Sequence, residues 1–214
     1  MGEVIRLADR RQARRIRPQQ RRIKVEFMFD LACPFTYLAA ERVERAFDAV
    51  TWTPASATAL RAGSLASDEV ALAGVRTAAE QRARQLRLPL VWPESWPADV
   101  PAAMRVASYA AEAGRGAAFV LAAGRLAFCG GFDLDDPEIL AEAAAAAGLG
   151  LDSCLRAAGE RRRDVAIEAA GRHLLAVGAD RLPALRAGRS LYWGDGQVAE
   201  AAAAARFQAA ASKA

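Results

Sequence analysis

The sequence is poor in the residues that build disulfide frameworks and metal sites. It has three cysteines and one histidine among 214 residues. A small, odd number of cysteines is not the pattern of a disulfide-stapled secreted domain. One histidine with scattered cysteines does not make a metal site. We therefore expect no metal, and the simplest compartment for this chain is a reducing cytoplasm.

Long apolar runs are missing as well. No run approaches the roughly 18 residues that a membrane-spanning helix needs, so we expect no membrane partner. The N-terminus lacks the apolar segment of a secretory signal. Hydrophobic residues nevertheless make up 53% of the chain, which is enough for a sizeable core and argues against disorder throughout. The sequence predicts one large domain, or a domain with an insertion.

Positive charge is concentrated at one end. The net charge is +4, but residues 1–22 contain eight arginines against two acids, which leaves the remainder slightly negative. We interpret this segment as a solvated basic extension. Binding to nucleic acid needs a basic face on the body or interleaved aromatic residues, and the sequence indicates neither. Nucleic acid is therefore not expected as a partner.

The first third of the chain predicts a βαβ unit. Residues 23–30 are rich in β-branched and aromatic residues, which favours a buried strand. A helical pattern follows over 33–47, with Pro34 in its first turn, where the missing N–H costs nothing. Residues 50–56 predict a second strand that ends at Pro54. Strand, helix and strand at this spacing form a βαβ unit.

The middle of the chain, from about residue 65 to 178, is dominated by good helix formers. The predicted helices are 69–87, 100–114, 115–124, 137–147, 151–158 and 160–177. Asp136 and Pro137 are typical of a helix start, and Gly148 of a helix end. Residues 182–197 contain "ALRA" and "SLYW" joined by a Gly-Arg pair, which predicts a hairpin before a closing helix.

The stretch "FDLACPFTYLAAERV" (29–43) places a cysteine at the start of the first helix. The N–H groups and positive end of a helix favour an anion, and a thiolate is the reactive form of cysteine. Cys33 is therefore a candidate catalytic residue. Cys129 and Cys154 lie in alanine-rich blocks without a motif, and we expect them to be buried and inert.

Thr36 stands three residues after Cys33, where a dithiol motif would carry its second cysteine. A dithiol cycle needs a resolving thiol close by, so autonomous disulfide oxidation is not expected. Thr36 is instead a second candidate catalytic residue, because its N–H or its hydroxyl can donate to the sulfur. Cys33 then either positions another thiol or reacts itself as a monothiol.

Together these motifs resemble the DsbA-like superfamily of thioredoxin-fold proteins. "FDLACPFTYLAAERV" is similar to the S-P-Y-S-x-L motif of the kappa-class glutathione transferases and the 2-hydroxychromene-2-carboxylate isomerases. Further similar stretches are "DDPEILAEAAAAAGL" (135–149), "AVGADRLPAL" (176–185) and "LYWGDGQV" (191–198). The resemblance covers about residues 22–210. In two departures from these families, Cys33 replaces the catalytic serine, and "GDGQ" (194–197) lacks the arginine of G-x-D-R.

The resemblance implies an α/β fold, a thioredoxin fold with a large α-helical insertion. The implied parts are a basic extension at 1–22, a first thioredoxin half at 23–57, a helical insertion at 58–158 and a second half at 159–214.

The resemblance also implies a glutathione site opposite Cys33. Pro183 corresponds to the cis-proline that faces the active-site helix, and the backbone of Leu182 would pair with a bound peptide-like chain. An ordinary trans proline at a strand start is the alternative. Asp195 would bind the α-amino group of the γ-glutamyl moiety, or it would serve only as a helix cap.

Other candidate residues keep two interpretations each. Four aromatic residues would either wall an apolar substrate pocket or pack in the core, and they are Phe35, Trp92, Trp96 and Trp193. Asp30, at the end of the first strand, is either a cap or a site acid. His173 lies inside a helical pattern, where a structural role is more typical than catalysis.

The function implied by the resemblance is a glutathione-dependent isomerase or transferase that acts on a small aromatic compound. Glutathione would be the co-substrate. The alternatives are a monothiol disulfide oxidoreductase that uses Cys33 and a non-catalytic thioredoxin-fold binding protein. Proteins of this family often dimerise, so the resemblance also allows a homodimer. The substrate itself depends on the pocket shape that the insertion provides.

Overall fold

A four-stranded mixed sheet lies at the centre of the computed structural model, which describes residues 23–60 and 69–211. The strand order is β2-β1-β3-β4, and the strands are β1 (Val25–Phe29), β2 (Thr51–Pro54), β3 (Ala184–Ala187) and β4 (Ser190–Trp193). β1 pairs in parallel with β2 and antiparallel with β3. Parallel neighbours need a crossover, which helix α1 (Pro34–Ala46) supplies. The predicted βαβ unit and hairpin are confirmed.

Helices make up most of the remaining chain. They are α2 (Ala57–Leu60), α3 (Glu69–Leu86), α4 (Pro101–Glu112), α5 (Gly116–Phe128), α6 (Pro137–Ala146), α7 (Leu151–Gly159), α8 (Arg162–Ala176) and α9 (Val198–Ala211), with a 3₁₀ turn (Asp195–Gln197) before α9. The fold class predicted from the sequence is confirmed. The basic extension at 1–22 lies outside the described residues.

The helix boundaries follow the predicted signals with one clear exception. The Asp136 carboxylate accepts a hydrogen bond from the Glu138 N–H at 2.8 Å, and Gly148 has a positive φ of 70° just after α6. The helix predicted to end at Gly124 instead continues to Phe128. A Cβ at Gly124 would lie 3.5 Å from the Tyr37 Cβ, so this glycine permits close packing of α5 on α1 and does not end the helix.

The alternation of side chains along β1 builds two cores, one on each face of the sheet. Phe27 and Phe29 are fully buried with Leu38 of α1 in the larger core. Met28 points to the other face and packs in a smaller core with Leu174 of α8. Helices therefore cover both faces of the sheet. The loop after β1 lies at one end of this central strand, between the two helical layers.

Candidate functional site

Cys33 occupies the N-cap of α1, at the end of the loop that follows β1. Its N–H donates to the Asp30 carbonyl at 3.1 Å, which closes a tight turn before Pro34 begins the helix. Its Sγ lies 3.6 Å from the Leu182 carbonyl oxygen, within range of an S–H···O hydrogen bond. The Leu182–Pro183 peptide bond is cis. The fold thus joins two motifs that are 149 residues apart in sequence.

Thr36 lies one turn into α1 and is only 2% exposed. Its N–H donates to the Cys33 carbonyl at 3.0 Å, so this donor is used by the helix start and not by the sulfur. Its hydroxyl has no hydrogen-bond partner among the described residues. Pro34 has no N–H, so Phe35 provides the first N–H of the helix. Of the two donors predicted for Thr36, only the hydroxyl is available to a sulfur.

Replacing Thr36 by valine is expected to raise the free energy of unfolding by about 1 kcal/mol. Valine has nearly the same shape, and a buried hydroxyl without a partner costs about 1–3 kcal/mol. Equilibrium urea denaturation of Thr36→Val and the wild type measures the difference. If the hydroxyl serves a bound sulfur, the same variant will bind glutathione more weakly although it is more stable.

Thr36→Ser is the matched control, because it keeps the hydroxyl and removes one methyl group from a buried position. It is expected to lose about 1 kcal/mol of stability and to retain thiol binding. A marked destabilisation by Thr36→Val would contradict the prediction, since it would mean that the hydroxyl has a partner in the native protein.

Asp30 holds the turn that presents Cys33. It is 8% exposed, and its two carboxylate oxygens accept hydrogen bonds from the Ala32 N–H at 2.9 Å and the Ala57 N–H at 2.8 Å. These bonds link the loop after β1 to the first residue of α2. Of the two roles considered for Asp30, the geometry favours the structural one, because the carboxylate fixes both loops at the mouth of the site.

A cleft of about 140 Å³ opens beside Cys33, and Phe35 and Trp96 belong to its lining. The Trp96 indole N–H donates to the Ala32 carbonyl at 3.0 Å, which fixes this ring next to the Cys33 turn. The guanidinium of Arg76 lies 5.0 Å from the Trp96 ring centroid and donates to the Trp96 carbonyl at 3.2 Å. One wall of the cleft is therefore aromatic and is held in place from two sides.

Trp92 and Trp193 lie elsewhere, which corrects the prediction that all four aromatic residues wall one pocket. Trp92 packs behind Trp96, with ring centroids 4.4 Å apart, and donates to the Glu80 carboxylate at 3.1 Å. Trp193 ends β4 opposite Ala184 and is not part of the cleft lining. Trp92 therefore supports the wall of the cleft from behind.

Of the two roles predicted for Asp195, the structure excludes that of helix cap. Gly194, not Asp195, is the N-cap of the 3₁₀ turn. The Asp195 carboxylate lies 3.0 Å from the Arg42 guanidinium and 2.5 Å from that of Arg82. Burial lowers the pKa of Arg42, and the Asp195 charge opposes this shift. With two guanidinium partners, this carboxylate is a poor candidate for binding an ammonium group.

A second cavity, of about 460 Å³, adjoins the Cys33 cleft. Three residues belong to the lining of both, and they are Asp30, Thr58 and Asp99. The floor of the larger cavity is apolar and consists of the buried side chains Val100, Met104 and Ile167. Its rim carries Asp164, Glu168 and Arg172. No motif in the sequence indicates this cavity, because its lining comes from three separate helices and three loops.

The other two cysteines and the histidine lie outside both cavities. Cys129 is half-buried, and its Sγ is 2.9 Å from the Tyr37 hydroxyl. That hydroxyl donates to the Pro89 carbonyl, so the thiol is the donor to Tyr37, and burial raises the pKa of Tyr37. Cys154 is buried, which raises its pKa, as expected of an inert thiol. His173 faces Arg186 at 3.2 Å.

The comparisons with known proteins agree with this architecture. A family model described as the DSBA-like thioredoxin domain matches residues 24–205, and the chain therefore belongs to that family. No curated protein matches the sequence.

Two solved structures share the fold. A 2-hydroxychromene-2-carboxylate isomerase is similar with a TM-score of 0.75 and 16% identity over 90% of this chain and all of its own. A probable DsbA oxidoreductase from Streptomyces coelicolor is similar with a TM-score of 0.66 and 24% identity, over 87% of this chain and 89% of its own. At these identities the likeness concerns the fold alone.

The described part of the chain contains neither a membrane-spanning helix nor a metal cluster. Within residues 23–60 and 69–211, no helix has the length and apolar character needed to cross a membrane. In the same ranges, no group of three or more metal-binding side chains is close enough together to hold an ion.

Proposed function

We propose that this chain is a glutathione-dependent isomerase or transferase that acts on a small aromatic compound. One observation carries the proposal. The Cys33 sulfur sits at the N-terminus of α1, 3.6 Å from the Leu182 carbonyl, beside a cleft lined by Phe35 and Trp96. The backbone of Leu182 can receive a peptide-like thiol, and the cleft can receive a flat apolar molecule.

Glutathione would lie along the backbone of Leu182 with its own sulfur next to Cys33. An extended peptide gains backbone hydrogen bonds from a main-chain segment that it lies against, and the segment before Pro183 is the one that faces Cys33. The Phe35 N–H and the positive end of α1 would favour the thiolate form of glutathione. The Thr36 hydroxyl, which has no partner among the described residues, is a further donor for that sulfur.

In an isomerisation, the glutathione thiolate would add to an electron-poor carbon of a conjugated double bond. A C–S bond forms, and the π electrons move to the conjugated oxygen, which then carries the negative charge. The former double bond becomes single and can rotate. Collapse of the oxyanion restores the double bond and expels the thiolate, so no oxidant or reductant is consumed. Donors at the helix start would stabilise the thiolate as it leaves.

Calorimetric titration of glutathione into the wild type and into Cys33→Ser tests the proposal. Serine keeps a small polar group at the N-cap, so both proteins are expected to bind glutathione with affinities within a few-fold of each other. Cys129→Ser is the matched control, because Cys129 pairs with Tyr37 outside the cleft. Absence of binding by the wild type at millimolar glutathione would overturn the proposal.

A second candidate function is monothiol exchange, and the position of Cys33 in the lining of the cleft favours it. In that reaction Cys33 would attack glutathione disulfide, form a mixed disulfide and release one glutathione. Mass spectrometry after incubation with glutathione disulfide distinguishes the two. A stable adduct on Cys33, together with loss of turnover in Cys33→Ser, would favour exchange.

The cytoplasmic location and the homodimer stay predictions.

A further inference from the structure

We propose that the larger cavity binds a small organic cation, a protonated amine carried on an apolar body. If the chain is a glutathione-dependent enzyme as proposed above, this cation is its second substrate. Only the role of the cation as a substrate rests on the proposed function, because the evidence for the binding site comes from the cavity itself.

The size and shape of the cavity fit a small organic molecule. Its volume of about 460 Å³ is within the range of roughly 300–1,000 Å³ that is usual for ligand pockets. Its floor, made of Val100, Met104 and Ile167, is buried and apolar, so it would cover a hydrocarbon or aromatic ring. A bare inorganic ion would leave this floor exposed to water. The floor therefore favours a ligand with an apolar body.

The charges around the cavity favour a cation. Its described lining includes four carboxylates, Asp30, Asp99, Asp164 and Glu168, and one guanidinium, Arg172. Arg172 pairs with Glu168 at 3.1 Å, and Arg105 binds Asp164 through two hydrogen bonds of 2.7 Å. These two pairs neutralise Glu168 and Asp164, whereas none of the described residues forms an ion pair with Asp99. A carboxylate ligand would meet like charges here, and an ammonium would meet opposite ones.

Asp99 is the acid best placed to receive the ammonium group. It is exposed to the cavity, and it accepts a hydrogen bond from the Thr58 hydroxyl at 3.2 Å. No described Lys, Arg or His side chain forms an ion pair with it.

Asp99 also lies where the two cavities meet. With Asp30 and Thr58 it belongs to the lining of both, so a ligand held by Asp99 lies at the entrance to the Cys33 cleft. An apolar body anchored there can extend to Phe35 and Trp96 on one side or onto the floor of the larger cavity on the other. Asp99 therefore selects a ligand that carries an ammonium group, and the cleft places this ligand near the Cys33 sulfur.

A matched pair of probes tests the inference without any turnover. Calorimetry compares 2-phenylethylamine with 3-phenylpropionate, which share the ring and differ in the sign of charge. The wild type is expected to bind the amine at least about tenfold more tightly, because opposite charges replace like charges in a partly enclosed site. Equal binding, tighter binding of the carboxylate, or no binding of the amine would each overturn the inference.

Asp99→Asn is expected to reduce the preference for the amine to less than about threefold, because it removes the acid at the junction while keeping a similar shape. Glu168→Gln, on the opposite rim, is a second variant with a smaller expected effect. Glu142→Gln, an exposed acid of α6 outside both cavities, is the control and should behave as the wild type. An unchanged preference in Asp99→Asn would contradict the placement.

The two proposals fail separately. Amine binding in a protein that does not bind glutathione would leave this inference standing and would overturn only the proposed function. Glutathione binding without a preference for the amine would do the reverse. Because both titrations use the same wild-type protein, one preparation decides both.

Discussion

Asp195→Ala is expected to lower the free energy of unfolding by about 3 kcal/mol, one of the largest single-residue effects we expect in this molecule. Its carboxylate is 13% exposed and lies between Arg42 of α1 and Arg82 of α3. Without it, two partly buried guanidiniums would face each other with no counter-charge, and removing one partner of a buried ion pair costs about 3–5 kcal/mol. Because the two arginines stay partly exposed, we expect a loss at the lower end of this range.

Equilibrium denaturation in urea measures the loss, and Asp180→Ala is its control. Asp180 also pairs with an arginine, Arg181 at 2.7 Å, but both side chains are more than half exposed. Exposed pairs contribute about 0–1 kcal/mol, so this variant should remain close to the wild type. If Asp195→Ala kept its stability and lost glutathione binding, the ligand-binding role implied by the resemblance would be restored.

The Asp195 result depends on contacts that no local pattern in the sequence reveals. Arg42 and Arg82 are 153 and 113 residues away from Asp195, and each looks like an ordinary exposed arginine on a helix. The sequence motif around Asp195 therefore predicted a cap or a ligand contact. Only the packing of α1, α3 and the 3₁₀ turn brings the three charges together and leaves the carboxylate occupied.

The elements themselves were predictable, because their signals are local. Alternation and β-branched residues marked β1, and the two short runs around Gly188 marked the hairpin of β3 and β4. Caps and helix formers marked the longer helices to within a few residues, except where Gly124 serves close packing, and the short helix α2 was not predicted. Cys33 and Leu182 were paired through motifs of a family, since nothing local connects residues so far apart.

The pocket was predictable only in part, for a geometric reason. Phe35 follows Pro34 directly, so its place beside Cys33 is fixed by the helix start. Trp92 and Trp96 lie in an irregular segment between α3 and α4, where spacing does not determine which ring faces the cleft. The larger cavity depends on how α4 and α8 diverge next to the loop after β2, and that is a property of packing alone.

Gly171→Ala is expected to lower the free energy of unfolding by about 2 kcal/mol and to disturb the larger cavity. Gly171 is buried in α8, and an added Cβ would clash with the Ser56 carbonyl oxygen and lie 3.1 Å from the Ala59 Cβ. The backbone must move to relieve this contact, and overpacking of this kind costs about 1–3 kcal/mol. The shift would strain the hydrogen bond from the Ser56 N–H to the Ile167 carbonyl, and Ile167 belongs to the cavity floor.

Gly74→Ala provides a matched comparison, because Gly74 also lies inside a helix, α3, but an added Cβ there would have no described atom within 4 Å. Alanine there should gain up to about 1 kcal/mol from helix propensity alone. Urea denaturation of both variants, with amine titration of each, separates propensity from packing. If Gly171→Ala were as stable as Gly74→Ala, α8 would not approach the loop before α2 as closely as the structure places it, and the cavity between them would have a different shape.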